Sequence, residues 1–327
     1  MKIVLPGGSG QVGTLLARAL RRDGHEVVVL SRRADTDCPW RVVAWDTKSE
    51  GPWSSEFEGA DVVINLAGRS VNCRYTQGNR REITQSRVDS TRVVGEAIAS
   101  AARPPRVWLQ ASTATIYAHR YDAPNDDDTG IIGGSEPGVP ETWRFSIGVA
   151  TAWEKALNEA GPLPHTRKVL LRSAITLSPD AGGVFDVLLR LVRFGLGGRA
   201  GDGRQYISWI HEADFIRATY WLIENESFEG PVNLASPHPV PNAEFMRTIR
   251  KAWGIRVGLP AFEWMLEIGA AFLRTETELI LKSRRVVPSR LLRSGFEFKF
   301  PQWTDAAREL CERWRQGDPS ELARGER

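Results

Sequence analysis

Seven residues after the first apolar run limit this chain more than any others. Ile3-Val4-Leu5 is followed by Gly7-Gly8-Ser9-Gly10-Gln11-Val12-Gly13, and an apolar face then recurs at Val12, Leu15, Leu16, Ala19 and Leu20. That i, i+3, i+4, i+7, i+8 spacing predicts a helix, so the glycines lie in a turn between a strand and a helix. The cluster reads as GxxGxxG through Gly7, Gly10 and Gly13, and as GxGxxG through Gly8, Gly10 and Gly13. Glycine makes the tight turn and lets backbone approach a pyrophosphate, which the free N–H groups and positive dipole end of the helix then hold. In a strand–turn–helix setting the pattern points to a dinucleotide; the plain alternative is a glycine-rich turn.

The same alternation continues. Gly24 closes the helix, and apolar runs return at Val27-Val28-Val29-Leu30, Val42-Val43-Ala44-Trp45, Val62-Val63-Ile64, Val107-Trp108-Leu109 and Val169-Leu170-Leu171. Helical stretches at about 83–102 and 143–160 separate the later runs. Uninterrupted apolar strands are buried on both faces, as in a parallel sheet. The expectation is a doubly wound α/β (Rossmann) domain over residues 1–175. A smaller mixed α/β substrate domain is expected at 176–303, with a C-terminal helix and tail at 304–327. The chain is expected to return to the sheet within 205–235.

In the later region, Val184, Val187, Leu188, Leu191 and Val192 mark a helix face, and a glycine-rich loop follows (Gly195, Gly197, Gly198, Gly201, Gly203). Tyr206–Ile210 reads as a strand, 212–225 as a helix, and Asn242 as the N-cap of a helix at 243–253. Helices are expected at 261–273 and 275–283. The alternation of Phe296, Phe298 and Phe300 predicts a strand. A last helix carries Ala307, Leu310, Cys311 and Trp314, and the polar tail from Gly317 is expected to fray. Residues 118–141 hold Asp126-Asp127-Asp128 with little periodicity, which suits a mobile lid or a passive loop.

Composition narrows the class. The 327 residues are 42% hydrophobic and 25% charged, which is ordinary for a soluble globular protein. A net charge of +3 demands no nucleic acid. Cys38, Cys73 and Cys311 are odd in number and far apart, forming neither a disulfide framework nor a metal pair. The opening apolar stretch is too short for a secretory segment, and no run reaches membrane-spanning length. A cytoplasmic protein acting on a small molecule, without membrane or metal, is expected, and a homodimer is left open.

The choice of dinucleotide turns on the end of the second strand, Leu30-Ser31-Arg32-Arg33. An acid there would grip the ribose 2′-OH of NAD, whereas Arg accommodates the 2′-phosphate of NADP. The first acid is Asp35, beyond both arginines, so NADP(H) is expected, with Ser31, Arg32 and Arg33 at the phosphate. Asn65-Leu66-Ala67-Gly68 ends the fourth strand, where Leu66, Ala67 and Gly68 leave room for the nicotinamide ribose. The fifth strand leads into Ala111-Ser112-Thr113-Ala114-Thr115-Ile116-Tyr117. Its hydroxyls could bond a reacting oxygen, or merely cap a turn. Arg74, Arg87 and Arg204 would suit an anionic substrate or cofactor phosphates. Tyr206 and Trp209 could wall a pocket or lie in the core, and His211 could shuttle a proton or cap a helix.

The glycine turn, Asn65-Leu66-Ala67-Gly68 and Ser112–Tyr117 together resemble the extended short-chain dehydrogenase/reductases, which include nucleotide-sugar epimerases. Arg74-Tyr75-Thr76, Ser86-Arg87-Val88, Leu171-Arg172-Ser173, Leu177-Ser178-Pro179, Gly201-Asp202-Gly203, Ser208-Trp209-Ile210-His211, Pro231-Val232-Asn233-Leu234 and Leu291–Phe298 sharpen the likeness. The set is similar to an atypical epimerase subgroup with a small C-terminal domain of unknown function, over about residues 1–303. The resemblance implies the fold, NADP(H) binding and a substrate annex. It also implies a Ser/Thr, which Thr113 matches, and a YxxxK acid/base pair. Four residues after Tyr75, Tyr117, Tyr121, Tyr206 and Tyr220 stand Asn79, Tyr121, Asn125, Ile210 and Glu224, so that pair is absent. Aligning on Trp153-Glu154 puts Ser146 and Ala150 in its places. Two functions follow: an NADP-dependent oxidoreductase or epimerase-like enzyme with a rearranged acid, for which Tyr117 is the candidate, or a catalytically silent NADP(H) sensor. A partner-binding protein using its C-terminal helices is the third.

Overall fold

A computed structural model describes residues 1–33, 37–262 and 276–316. Asp35, the tail from Gly317 and all but the first two residues of the helix expected at 261–273 lie outside the described residues. The strands in chain order are β1 (Lys2–Pro6), β2 (Glu26–Ser31), β3 (Arg41–Ala44), β4 (Val62–Asn65), β5 (Val107–Thr113), β6 (Arg167–Ser173), β7 (Ile175–Leu177), β8 (Tyr206–Ile207), β9 (Trp209–His211), β10 (Gly230–Leu234) and β11 (Val240–Pro241). The helices are α1 (Gln11–Arg22), α2 (Gln77–Ser100), α3 (Glu141–Asn158), α4 (Val184–Arg193), α5 (Glu212–Glu224), α6 (Asn242–Trp253), α7 (Glu278–Leu281), α8 (Ser289–Arg293) and α9 (Trp303–Gln316).

The seven-stranded sheet runs β10-β6-β5-β4-β1-β2-β3. Strand β1 pairs in parallel with both β2 and β4, so the strand order reverses there, the point at which open α/β sheets bind ligands beyond their carboxyl ends. The expected doubly wound α/β fold is present, with β10 as the strand that returns to the sheet from within 205–235. Two compact units divide the chain. The first comprises Met1–Ile116, Phe145–Arg172 and Ile216–Val232; the second comprises Tyr117–Arg144, Ser173–Phe215 and the described residues from Asn233 onward. In the first, Val4, Val28, Leu30, Val63, Trp108 and Leu170 of the sheet pack against Val93, Val94, Ala97 and Ile98 of α2. In the second, Phe185, Leu189 and Val192 of α4 pack with Phe245, Met246 and Ile249 of α6 and Trp303, Ala307 and Leu310 of α9. Each large side chain so buried contributes about 1.5–3 kcal/mol.

Several local expectations are corrected. Tyr206–Ile210 is not one strand: β8 pairs with β11, β9 pairs with β7, and the Ser208 hydroxyl between them donates to Arg284 O at 2.7 Å. Helix α4 buries Phe185, Leu189 and Val192 and leaves Val184, Val187 and Leu191 exposed, so its core face is rotated from the expected one. Asn242 opens α6 but does not cap it; its Oδ1 accepts from Ala200 N at 2.8 Å, and Pro241 is the cap. Phe296, Phe298 and Phe300 form no strand, because the N–H groups of Lys299 and Phe300 donate to the Asp214 carboxylate at 2.7 and 2.8 Å. Side-chain satisfaction has replaced a ladder. Residues 118–141 carry a bridge from Tyr117 to Ile132 and another from Asn125 to Val286. Among the described residues no helix is long and apolar enough to cross a membrane.

Candidate functional site

The glycine turn is built by close approaches that a side chain would block. Gly7 takes φ 76°, and a Cβ there would lie 2.6 Å from Ala67 N and Cα at the end of β4. A Cβ on Gly13 would lie 2.4 Å from Gly8 Cα, so α1 can pack on the turn only with glycine at that position. Gly10 differs. Its Cβ would meet only Gly7 O, at an ordinary 3.7 Å, so packing does not explain it. Gly10 caps α1 with extended backbone and no side-chain bond, and no acidic residue stands in the first turn. Gln11 is exposed and Val12 half-buried there. The positive end of α1 is thus left open for an anion.

The strands beside the turn complete the edge. Ser31 at the end of β2 donates to Ser9 Oγ at 3.2 Å and accepts from Arg33 N at 3.3 Å. This fixes the β2 tip against the glycine turn, with Arg32 and Arg33 exposed beyond it. Buried Asn65 accepts from Ala67 N at 3.0 Å and donates to Gln110 Oε1 at 2.9 Å, while Leu66 N donates to Pro6 O at 2.8 Å. The backbone of Leu66 and Ala67 is therefore held by its own strand and its neighbours, with Ala67 buried, Leu66 half-buried and Gly68 exposed. Because β1, β2, β4 and β5 are parallel, Gly7–Gly13, Ser31–Arg33, Leu66–Gly68, Ser112 and Thr113 share one edge of the first unit.

Other expected residues are already engaged. Arg87 is not free for a phosphate: its Nη1 donates to Arg69 O at 3.0 Å and Ile83 O at 2.9 Å, and its guanidinium lies 4.9 Å from the Trp153 ring centroid. It props the loop at Gly68, whose Cβ would lie 3.1 Å from Arg87 Cζ. Burial draws its pKa down to about 10, with Tyr75 acting in the opposite sense. Ser112 donates to Glu154 Oε1 at 2.6 Å, and Glu154 takes a two-pronged grip from Arg172 at 2.8 and 2.7 Å, so the Ser112 hydroxyl is committed inward. Thr113 is half-buried, and its Oγ1 accepts from Thr115 N at 3.2 Å, a turn cap.

Tyr117, Tyr206, Trp209, His211 and Arg204 belong to the second unit, Tyr206 being half-buried in β8. Tyr117 is 2% exposed and donates to Asn233 Oδ1 at 2.9 Å, which removes it as an accessible acid. Trp209 is core, with its ring centroid 5.0 Å from that of Trp303. His211 is 1% exposed; Nδ1 accepts from Ala213 N at 3.1 Å, so Nε2 carries the proton toward Glu309 Oε2 at 2.9 Å. Burial and these partners make Trp209 and His211 structural. Arg204 is exposed, 5.7 Å from the Tyr121 ring centroid; Arg74, in the first unit, is also exposed.

The NAD dependent epimerase/dehydratase family pattern matches residues 3–136, and a domain of unknown function (DUF1731) matches residues 261–310. The human epimerase family protein SDR39U1 is 30% identical over 313 residues, which cover 95% of this chain and 99% of that protein. The chain belongs to the epimerase family. The epimerase family protein YfhF of Bacillus subtilis is likewise 30% identical, over 95% of this chain and 98% of its own. A crystal structure of human SDR39U1 with NADPH superposes with a TM-score of 0.82 at 30% identity, over 95% of this chain and 99% of that one. The UDP-N-acetylglucosamine 4-epimerase of Bacillus cereus shares the fold, with a TM-score of 0.72 at 18% identity over 97% and 98% of the two chains.

One residue of this epimerase-family chain was not singled out from sequence. Tyr75 is 7% exposed, and its phenol oxygen faces Ser146 Oγ at 3.5 Å. Its ring meets Phe145 edge-on, with centroids 4.9 Å apart, in a cluster with Ile83 and Val149. Seventy-one positions separate Tyr75 from Ser146, so no spacing rule links them. The only sequence signal was the appearance of Tyr75 within Arg74-Tyr75-Thr76.

Proposed function

We propose that this chain binds NADP(H) along the carboxyl edge of β1, β2 and β4 and uses it in oxidoreduction or epimerase-like chemistry on a small molecule. The observation that carries the reading is Gly10: nothing in the packing requires a glycine there, and it stands at an α1 N-terminus free of acidic side chains. A pyrophosphate suits that opening. Gly7, Gly10, Gln11, Val12 and Gly13 would hold the diphosphate, and Ser31, Arg32 and Arg33 the 2′-phosphate. Leu66, Ala67 and Gly68 would border the nicotinamide ribose, and Thr113 would orient a substrate oxygen. Bound there, the reduced dinucleotide supplies a hydride. Exposed guanidiniums at the β2 tip match a 2′-phosphate better than a bare ribose. The NADPH carried by the human relative's crystal structure agrees with that preference.

Calorimetry with NADPH and NADH tests the reading. The wild type is expected to prefer NADPH, and Arg32→Glu with Arg33→Glu to lower NADPH affinity by about 10–100-fold, the worth of a charge-assisted pair. A wild type that ignores NADPH would overturn it. The alternative of binding without turnover is favoured by Ser146 and Ala150 standing where an acid/base pair would be expected. A panel of carbonyl substrates with NADPH separates the two.

A further inference from the structure

We propose that the second unit carries a docking surface for an anionic lipid bilayer, built from the end of α4, the loop after it and the segment after α6. The inference is independent of the NADP(H) reading and starts from two properties of residues 184–199 and 247–259. Together these stretches hold six arginines and one lysine against a single acid, Asp186. Asp186 is buried and already holds Arg190 at 2.9 Å, so no acid of theirs is left facing solvent. The whole chain carries a net charge of only +3, so cations are concentrated here. The same stretches also expose large apolar side chains. Phe194 is 80% exposed, Val257 67% and Leu259 59%, and Val187 and Leu196 are exposed as well. Apolar exposure of this kind marks an interaction surface.

Hydrogen bonds knit the two stretches into one surface. Leu259 N donates to Gly195 O at 2.8 Å, Gly198 N to Leu259 O at 3.1 Å, and Ala261 N to Arg199 O at 2.9 Å. Arg250 Nη1 of α6 donates to Gly197 O. Phe194 is the C-cap of α4, and Gly195 behind it turns at φ 75°. Beside this turn the Arg193 guanidinium lies 4.6 Å from the Trp314 ring centroid and 5.6 Å from that of Trp253. Indole rings favour the depth of lipid headgroups. A cavity of about 590 Å³ adjoins the same ribbon, lined by Gly198, Gly258, Arg199, Arg247 and Arg250. Among the described residues Arg199 and Arg247 form no ion pair, although Glu244 lines the cavity too. Two unpaired guanidiniums beside open space suit a phosphate.

Charge complementarity chooses the occupant. A second copy docked here would set like cations face to face. The apolar side chains stand out at high exposure rather than lining a groove, which suits insertion between headgroups. An anionic bilayer answers both demands. Its acyl boundary takes Phe194, Leu196, Val257 and Leu259, and its phosphates take Arg193, Arg199, Arg247 and Arg256. Such contact lies on the membrane and needs no spanning helix.

Vesicle flotation with the full chain tests this. Vesicles of phosphatidylcholine and phosphatidylglycerol in equal parts are expected to carry the protein upward, and phosphatidylcholine alone to leave it behind. Phe194→Ser with Leu259→Ser alters side chains that already face solvent, so urea unfolding should match the wild type while flotation is lost. Should that pair unfold, Phe194→Ser alone, at the more exposed site, serves in its place. Arg199→Glu with Arg247→Glu is expected to weaken vesicle binding about 25-fold or more, at about fivefold for each cation lost. A wild type that ignores the anionic vesicles overturns the proposal. Flotation unchanged in the apolar variant overturns it too, because adsorption by charge alone would then explain the binding. So does light scattering that finds a wild-type dimer broken by that variant, because the face then belongs to a second copy. Displacement from the vesicles by poly-glutamate at equal charge likewise overturns it, in favour of an acidic protein.

Discussion

Gly13 and Gly10 sit three positions apart in one turn, yet substitution should separate them cleanly. Gly13→Ala drives a methyl group into Gly8 backbone at 2.4 Å, where nothing flexible can yield. A stability loss of about 1–3 kcal/mol in urea unfolding is expected. Gly10→Ala has room and extended backbone, so it should lose only the about 0.5–1 kcal/mol of a poorer helix cap while NADPH binding weakens. Equal stability losses in both variants would show that Gly10 has a packing role after all. The thiols offer a second contrast. Burial pushes the Cys311 thiol up to about 12, whereas Cys38 and Cys73 are half-buried. A disulfide reagent should therefore label Cys38 and Cys73 in the native protein and Cys311 only after denaturation. The glycines were legible in sequence because a turn is a local demand. His211 and Trp209 were not, because a partner 98 residues away, Glu309, and the Trp303 ring decide their burial.

Among the elements, β5, α3 and β6 are joined through one carboxylate, Glu154, which receives Ser112 and the two-pronged Arg172. Both members of the ion pair are nearly closed to solvent, with side chains 10% exposed. Glu154→Ala strands a buried guanidinium and is expected to cost about 3–5 kcal/mol, measured by urea unfolding. Replacing both partners by apolar residues of similar size should cost much less. The strands of the main sheet could be read from their apolar runs, since burial on both faces leaves little else to encode. Helix α4 could not be oriented that way. Apolar residues surround it, with Val184, Val187 and Leu191 outward and Phe185, Leu189 and Val192 inward, so periodicity chose the wrong face. The phenylalanine alternation at 296–300 failed differently: a strand needs a neighbouring ladder, and the Asp214 carboxylate took its donors instead.

At the scale of the whole molecule, stability should carry an alkaline signature. Lys282 is 2% exposed, and burial, with help from Arg284, lowers its pKa from 10.5 to about 8. The folded state therefore releases this proton more readily than the unfolded state. Between pH 8 and 10.5 the unfolded chain binds more protons here, so this group makes stability rise with pH across that window, after a constant cost below it. Lys282→Met should be more stable near neutrality, with the advantage shrinking toward pH 10; an advantage that stays constant would refute the burial account. Other groups also titrate there, so the difference between the two proteins is the quantity to follow. The two compact units interleave along the chain, each taking more than one segment. Local patterns specify a sheet order well but carry no trace of such crossings.

The contact between Gly7 and Ala67 fixes one distance at the carboxyl edge of the sheet. With no space between those two backbones for even a methyl group, and Leu66 N donating to Pro6 O at 2.8 Å, the glycine turn and the β4 tip are held at one spacing. Their separation acts as a gauge block. If the proposed dinucleotide spans both, it meets a spacing already set, and an isolated mononucleotide is expected to gain nothing from it.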